Sequence, residues 1–207
     1  MAKVRRADIE TSPTRERLLD CIERLMIDDG YAAVTYRRVA TLSAVTSGLV
    51  QYYFPTLDDL FVAVIRRRSD QNLRRLRSAL AADPDQPLRV LWEFSQGEAT
   101  ALLTSEFVAL GIHRKSIQAV LAEVIDEVRT VQLEVLRSAL GGRVETIELS
   151  VEALLFLVTG IPKLIGLERS VGVDATHEQA TIAIERYLAR VEPTDGARRR
   201  EFSARGR

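Results

Sequence analysis

The sequence holds one cysteine, Cys21, and two histidines, His113 and His177, far apart along the chain. A single thiol excludes an intramolecular disulfide and fits a reducing compartment, so a cytoplasmic location is expected. With so few histidines and no Cys/His/Asp cluster at ligand spacing, no metal site is expected. Phosphate-binding glycine loops and nucleophile elbows are missing as well. The expectation is therefore a protein with no catalytic residue and no cofactor, and not an enzyme. Long apolar runs are also lacking. In the apolar C-terminal half the longest uncharged stretch, residues 153–162, spans ten residues, whereas a membrane-spanning helix needs about 20. The basic start, Lys3, Arg5 and Arg6, runs into Asp8 and Glu10 with no apolar segment behind it. Neither a secretory signal nor a membrane association is expected.

Only 6 prolines, 11 glycines and 6% aromatic residues interrupt 207 positions rich in Leu, Ala, Arg and Glu. That scarcity favours helices over strands. At 46% hydrophobic and 28% charged, the chain can bury a core as one domain or two small ones. The formal net charge of zero hides an asymmetry: an excess of four positive charges over residues 1–80, seven negative over 81–192 and three positive over 193–207. A basic first third joined to an acidic remainder is the pattern of a nucleic-acid-contacting module attached to one that makes no such contact.

Residues 1–12 are charged and aperiodic and read as a flexible arm. A first helix is expected over 13–28, where Ser12 and Pro13 form a cap and first-turn pair and Gly30 supplies a terminator that tolerates positive φ. Asp28 and Asp29 oppose the dipole of that helix, and no sequence pattern accounts for them. Two short helices follow, 36–41 capped by Thr35 and 47–53 capped by Thr46, joined by four residues, which makes a helix-turn-helix candidate. Pro55 ends the second of them. Thr56 and Asp59 form a capping box for a longer helix reaching Ala82. Further helices are expected over 87–111, 114–140, 146–168 and 175–191, with a basic tail over 193–207.

A helix that reads DNA needs small or polar residues on its exposed face to enter a major groove about 12 Å wide. Thr46, Ser47, Gly48, Gln51 and Tyr52 supply that face. Gln51 is suited to a paired hydrogen bond with adenine, Tyr52 and Tyr53 to phosphates through their hydroxyls, and the first turns opened by Thr35 and Thr46 to phosphate through free amides. Tyr36 belongs to the same first turn, and Arg37 and Arg38 add backbone contacts.

The segment from Thr14 to Phe61, including GYAAVTYRRVATLSAVTSGLVQYYFPTLDDLF, resembles the DNA-binding domain of the tetracycline-repressor (TetR) family of transcriptional regulators. The resemblance rests on Gly30, Tyr31, Thr35, Val39, Ala40, Val45, Thr46, Gly48, Phe54 and Leu60. It implies an all-α protein. Residues 13–56 would be a three-helix helix-turn-helix domain, and residues 57–192 a linking helix followed by a ligand-binding and dimerisation domain. The implied function is a sequence-specific repressor, released from its double-stranded operator by a small hydrophobic effector. Three positions depart from the family pattern. Ala44 stands where glycine is usual, an exchange the turn accepts at negative φ. Gln51 stands where a tyrosine usually contacts phosphate, and Leu57 where a lysine usually does, which lowers operator affinity and makes its salt dependence shallower.

The helix at 146–168 is apolar on more than one face and must be covered on both sides. With the helix at 175–191 it is expected to form a homodimer interface. Trp92, Phe94, Phe107, His113, Phe156 and Thr159, on the middle helices, are the candidates for lining an effector site. The competing reading is a helical dimeric protein-interaction module with weak or no specific DNA binding.

Overall fold

Local capping chemistry sets most helix boundaries in the computed structural model, which describes residues 12–140 and 149–193. All regular structure among those residues is helical. Helix α1 spans Pro13–Asp29 and a single 3₁₀ turn spans Tyr31–Ala33. Helices α2 (Tyr36–Leu42), α3 (Ser47–Tyr53) and α4 (Leu57–Ala82) follow. Then come α5 (Pro87–Phe94), α6 (Glu98–His113), α7 (Lys115–Leu140), α8 (Val151–Ser170) and α9 (His177–Val191). The arm before Ser12, the tail beyond Pro193 and residues 146–148 of one expected helix lie outside the described residues.

Several boundaries differ from expectation: the helix expected over 146–168 begins at Val151 and runs to Ser170, and the one expected over 175–191 begins at His177. The helix expected over 87–111 is two helices, because the amide of Ser95 turns back onto the carbonyls of Leu91 and Trp92 and that of Gln96 onto Glu93, closing α5 in a tight last turn. Gly97, a poor helix former, then separates it from α6. Ser12 also behaves differently: it makes no side-chain cap on α1, and its hydroxyl instead lies 2.9 Å from that of Tyr53. The capping box does form, with Thr56 N donating to Asp59 Oδ2 and Asp59 N to Thr56 Oγ1, each at 3.0 Å.

The chain divides into two compact units. The first takes residues up to 72 together with 102–127. Its core joins Leu18, Ile22, Met26, Val39, Val50, Phe54, Leu60 and Phe61 to Leu103, Phe107, Leu110 and Ile117 of α6 and α7. Polar ties reinforce it. Arg67 of α4, largely buried, donates to Glu23 Oε1 through Nε and Nη2 (3.2 and 2.6 Å), to Asp20 (2.8 Å) and to Glu16 (3.1 Å), all on α1. Burial works against its charge, but these carboxylates more than offset that and raise the guanidinium pKa. Asp58 accepts from Ser116 and Arg114, which hold its carboxyl below the ordinary range.

The second unit takes residues 73–101 and those from 128 onward. In it α5 packs along α8, and the core gathers Leu76, Leu88, Leu91, Trp92, Leu136, Leu154, Leu155, Val158 and Leu188. Helix α8 is capped by Ser150, whose hydroxyl accepts from Ala153 N at 3.2 Å, and it continues through Pro162. Glu192, fully buried just beyond α9, accepts from the amides of Leu88 (2.8 Å) and Arg89 (3.0 Å) in the first turn of α5. The opposite face of α8 is bare: Phe156 is 70% exposed and Leu164 55%, with Leu167 beside them and Ile182 exposed on α9.

Candidate nucleic-acid interface

Helices α2 and α3 begin in the same way. Thr35 and Thr46 have extended backbones, and their hydroxyls accept from Arg38 N and Leu49 N, each at 3.2 Å. Each cap satisfies one first-turn donor. Val39, Ala40, Val50 and Phe54 turn inward and seat the pair on α1 and α4. The opposite face of α3 presents Thr46, Ser47, Gly48, Gln51 and Tyr52 to solvent, with Tyr52 52% exposed. At Gly48 an added Cβ would meet only Thr46 Oγ1, at 4.0 Å, so the bare backbone is open to close approach.

Of the nine residues expected at a DNA interface, seven are exposed: Thr35, Arg37, Thr46, Ser47, Gly48, Gln51 and Tyr52. Tyr36 and Tyr53 are half-buried, and their hydroxyls are engaged within the fold. The Tyr36 hydroxyl donates to the carbonyl of Phe54 at 3.0 Å, where the chain leaves α3 ahead of Pro55. Burial, and then the charge of Asp59, push its phenol pKa up. The Tyr53 hydroxyl meets Ser12. Arg37 is exposed and makes no ion pair among the described residues, whereas Arg38 is held by Asp29 at 2.6 Å. Asp29, unfavourable for the α1 dipole, thus has a cationic partner on α2, in an exposed pair worth at most about 1 kcal/mol.

The turn between α2 and α3 is closed by Val45 N donating to Ala40 O at 3.0 Å. Ala44 lies in it at φ +53°, so the condition under which alanine fits this turn, a negative φ, is not met. A left-handed conformation costs an L-residue about 1–2 kcal/mol, part of which glycine returns through its freer unfolded chain. Ala44→Gly is expected to stabilise the protein by about 0.5–1 kcal/mol, read as a rise in the thermal unfolding midpoint. A fall would show that the Ala44 methyl makes compensating contacts.

The sequence pattern did not single out the polar ties that hold this head together. Glu106 of α6 accepts from the Tyr31 amide at 2.6 Å, just after α1 ends at Gly30 with φ +78°. Arg66 and Arg67 were legible only as helical residues. Glu16, Asp20 and Glu23, at i, i+4 and i+7 on α1, were the available signal that a buried cation faces that helix.

The six effector-site candidates divide between the units. Trp92 is buried and Phe94 half-buried in the core of the second, where Thr159 donates its hydroxyl to Leu155 O at 2.8 Å. Phe156 lies on the bare face of α8. Phe107 belongs to the core of the first unit, and His113 is exposed there. The Trp92 indole N–H is buried without a hydrogen-bond partner among the described residues.

Residues 18–64 match the family described as bacterial regulatory proteins, tetR family. A curated relative, the HTH-type transcriptional repressor NicS of Pseudomonas putida, is 27% identical over 114 residues, 51% of this chain and 53% of its own. The chain thus aligns with about half the length of that relative. Among solved structures, a putative transcriptional regulator from Saccharomonospora viridis in complex with choline superposes with a TM-score of 0.69. It shares 16% identity, with 83% of this chain and 95% of that one covered, a likeness of fold. The multidrug binding protein EbrR complexed with ethidium superposes at 0.59 with 25% identity, covering 87% and 99%.

Proposed function

We propose that this chain, which belongs to the TetR family of bacterial regulatory proteins, is a sequence-specific DNA-binding repressor that works as a homodimer and is released from its operator by a small, mostly apolar effector. The observation that carries this reading is the face of α3. A capped helix turns Ser47, Gly48, Gln51 and Tyr52 outward while Val50 and Phe54 are buried beneath. Two such helices about 34–36 Å apart would enter successive major grooves. The bare faces of α8 and α9 supply the surface on which two copies meet. An effector is supported by EbrR, whose structure contains ethidium, and by the choline complex of the Saccharomonospora viridis regulator. Trp92, Phe94 and Thr159 are the residues of the second unit offered for that site. An effector that favours a different spacing of the two α3 helices weakens DNA binding, and DNA weakens the effector equally.

The test is titration of DNA taken from upstream of its own gene. Gln51→Ala is expected to change preference at one base position by about 1–3 kcal/mol, while Arg37→Ala weakens all sequences alike and lowers the salt slope by about one. A wild-type chain that binds every fragment equally would favour a protein-interaction module instead.

A further inference from the structure

The second unit holds a buried donor and a pair of cations that its own acceptors do not satisfy. The donor is the indole N–H of Trp92 on α5, a residue only 2% exposed, which has no hydrogen-bond partner among the described residues. A buried donor left in that state costs about 1–3 kcal/mol, and such groups are nearly always paired. The other buried members of its core are leucines and one valine, which give a lone water no second partner. An accepting atom on a ligand is the fitting complement. The cations are Lys163 on α8 and Arg129 on α7, both in the same unit.

Helical spacing joins these groups. Leu155, Thr159 and Lys163 follow one another at i, i+4 and i+8 along one side of α8, and burial falls in that order: Leu155 is buried in the core with Trp92, Thr159 is half-buried and Lys163 is exposed. Arg129, Leu133 and Leu136 make a matching stripe on α7, running from exposed through half-buried to buried in the same core. Each stripe leads from a cation to the apolar surroundings of Trp92, over about 10–12 Å at 1.5 Å per residue. The cationic ends also come together. Lys163 keeps part of its surface in water, yet burial of the rest, and then the like charge of Arg129, push its pKa below the ordinary lysine range. Neither cation forms an ion pair among the described residues, and the carboxylates of α8 are committed elsewhere, Glu152 to Arg137 and Glu168 to His177. Two like charges side by side, one of them partly out of water, are complementary to an anion. We infer that the effector, which rests on the regulator reading above, is a small amphipathic acid: Lys163 and Arg129 hold its carboxylate, its apolar body runs inward between the two stripes, and a second acceptor, such as a carbonyl oxygen, takes the Trp92 N–H.

The test titrates the full chain, without DNA, with 7-oxooctanoate and with compounds of the same length that lack or change one group: octanoate, 2-octanone and octylammonium. Trp92 is the only tryptophan of the sequence, so its emission reports on this core alone. 7-Oxooctanoate is expected to shift that emission and to bind about tenfold or more tightly than 2-octanone, with octylammonium weaker than octanoate by a similar factor. Lys163→Gln should remove most of the acid's advantage and leave 2-octanone unchanged, and Lys163→Arg should keep it. Trp92→Phe, followed by calorimetry, should weaken 7-oxooctanoate about three- to tenfold and leave octanoate unchanged. Thermal unfolding checks each variant, and the two Lys163 variants decide the matter where Trp92→Phe does not fold. Equal binding of acid and ketone, octylammonium as tight as octanoate, or an emission unmoved by both acids at millimolar concentration would overturn the site. So would a Lys163→Gln chain that turns monomeric with its affinity for the acids unchanged, since the missing anion would then be a carboxylate of a second copy. All of these outcomes leave DNA binding untouched, whereas a wild-type chain with no affinity for any DNA fragment overturns the regulator reading and leaves the measured affinity for the acid standing.

Discussion

Replacing Phe156 and Leu164 together with aspartate is expected to leave a folded monomer of 23.2 kDa and to weaken operator binding by about 100-fold or more. Both side chains already lie mostly in solvent within one subunit, so their loss removes little intramolecular packing. They stand two turns apart on α8 with Gly160 between them, where an added Cβ would approach only the Phe156 ring, at 4.0 Å. This is a flat apolar strip onto which a second helix can settle. Burying a Phe or Leu contributes about 1.5–3 kcal/mol, and a twofold interface counts each residue twice. With 70% and 55% of the two side chains left to cover, the pair would contribute roughly 4–8 kcal/mol at the proposed interface before the cost of association. Aspartates at the same places would add unpaired charge to a dry surface. Light scattering after size-exclusion chromatography measures the mass, and circular dichroism checks that helix content is kept. A double variant that still elutes as a dimer would move the interface away from α8.

The second large effect is expected at Glu192. Helix α5 opens with Gln86 and Pro87, and Gln86 makes no side-chain cap. The cap comes from 104 residues downstream, where the Glu192 carboxylate takes the amides of Leu88 and Arg89 at the positive end of the helix. Glu192→Ala leaves two first-turn donors without acceptor in a buried place. The expected loss is about 3 kcal/mol, a fall in melting temperature of about 6–12 °C for a chain of this size. Glu192→Gln keeps one acceptor oxygen and should lose about half as much. Differential scanning calorimetry decides the point. A shift of under about 2 °C in the alanine variant would mean that another group caps α5.

How much of this was legible beforehand depended on sequence distance. Thr35, Thr46, the Thr56–Asp59 box and the positive φ of Gly30 involve groups within four residues of one another, so the residue types alone announce them. Glu192 on α5, Arg67 on α1, Glu106 at Tyr31 and Ser12 at Tyr53 join positions 41 to 104 residues apart. Nothing in a local window distinguishes those side chains from solvated ones. The positive φ of Ala44 was illegible for a related reason: it belongs to the turn closed by Val45 N on Ala40 O, and alanine carries no mark of it. The exposed face of α3 could be read because periodicity separates it from Val50 and Phe54. The effector candidates could not be sorted by the same means, since aromatic residues mark a core as readily as a cavity, and Phe107 and Trp92 belong to different cores.

The way the first core is assembled bears on anyone who would transplant this reading head onto another regulator. Leu103, Phe107, Leu110 and Ile117 fill it from a stretch that returns some thirty residues after α4 has left, and Glu106 and Arg114 bond to the head from the same stretch. A chimera cut at residue 72 would carry the bases' reader without its keystone. A working exchange has to bring two separate lengths of chain, ending at 72 and running from 102 to 127, so under the proposed function operator specificity would travel as a discontinuous cassette.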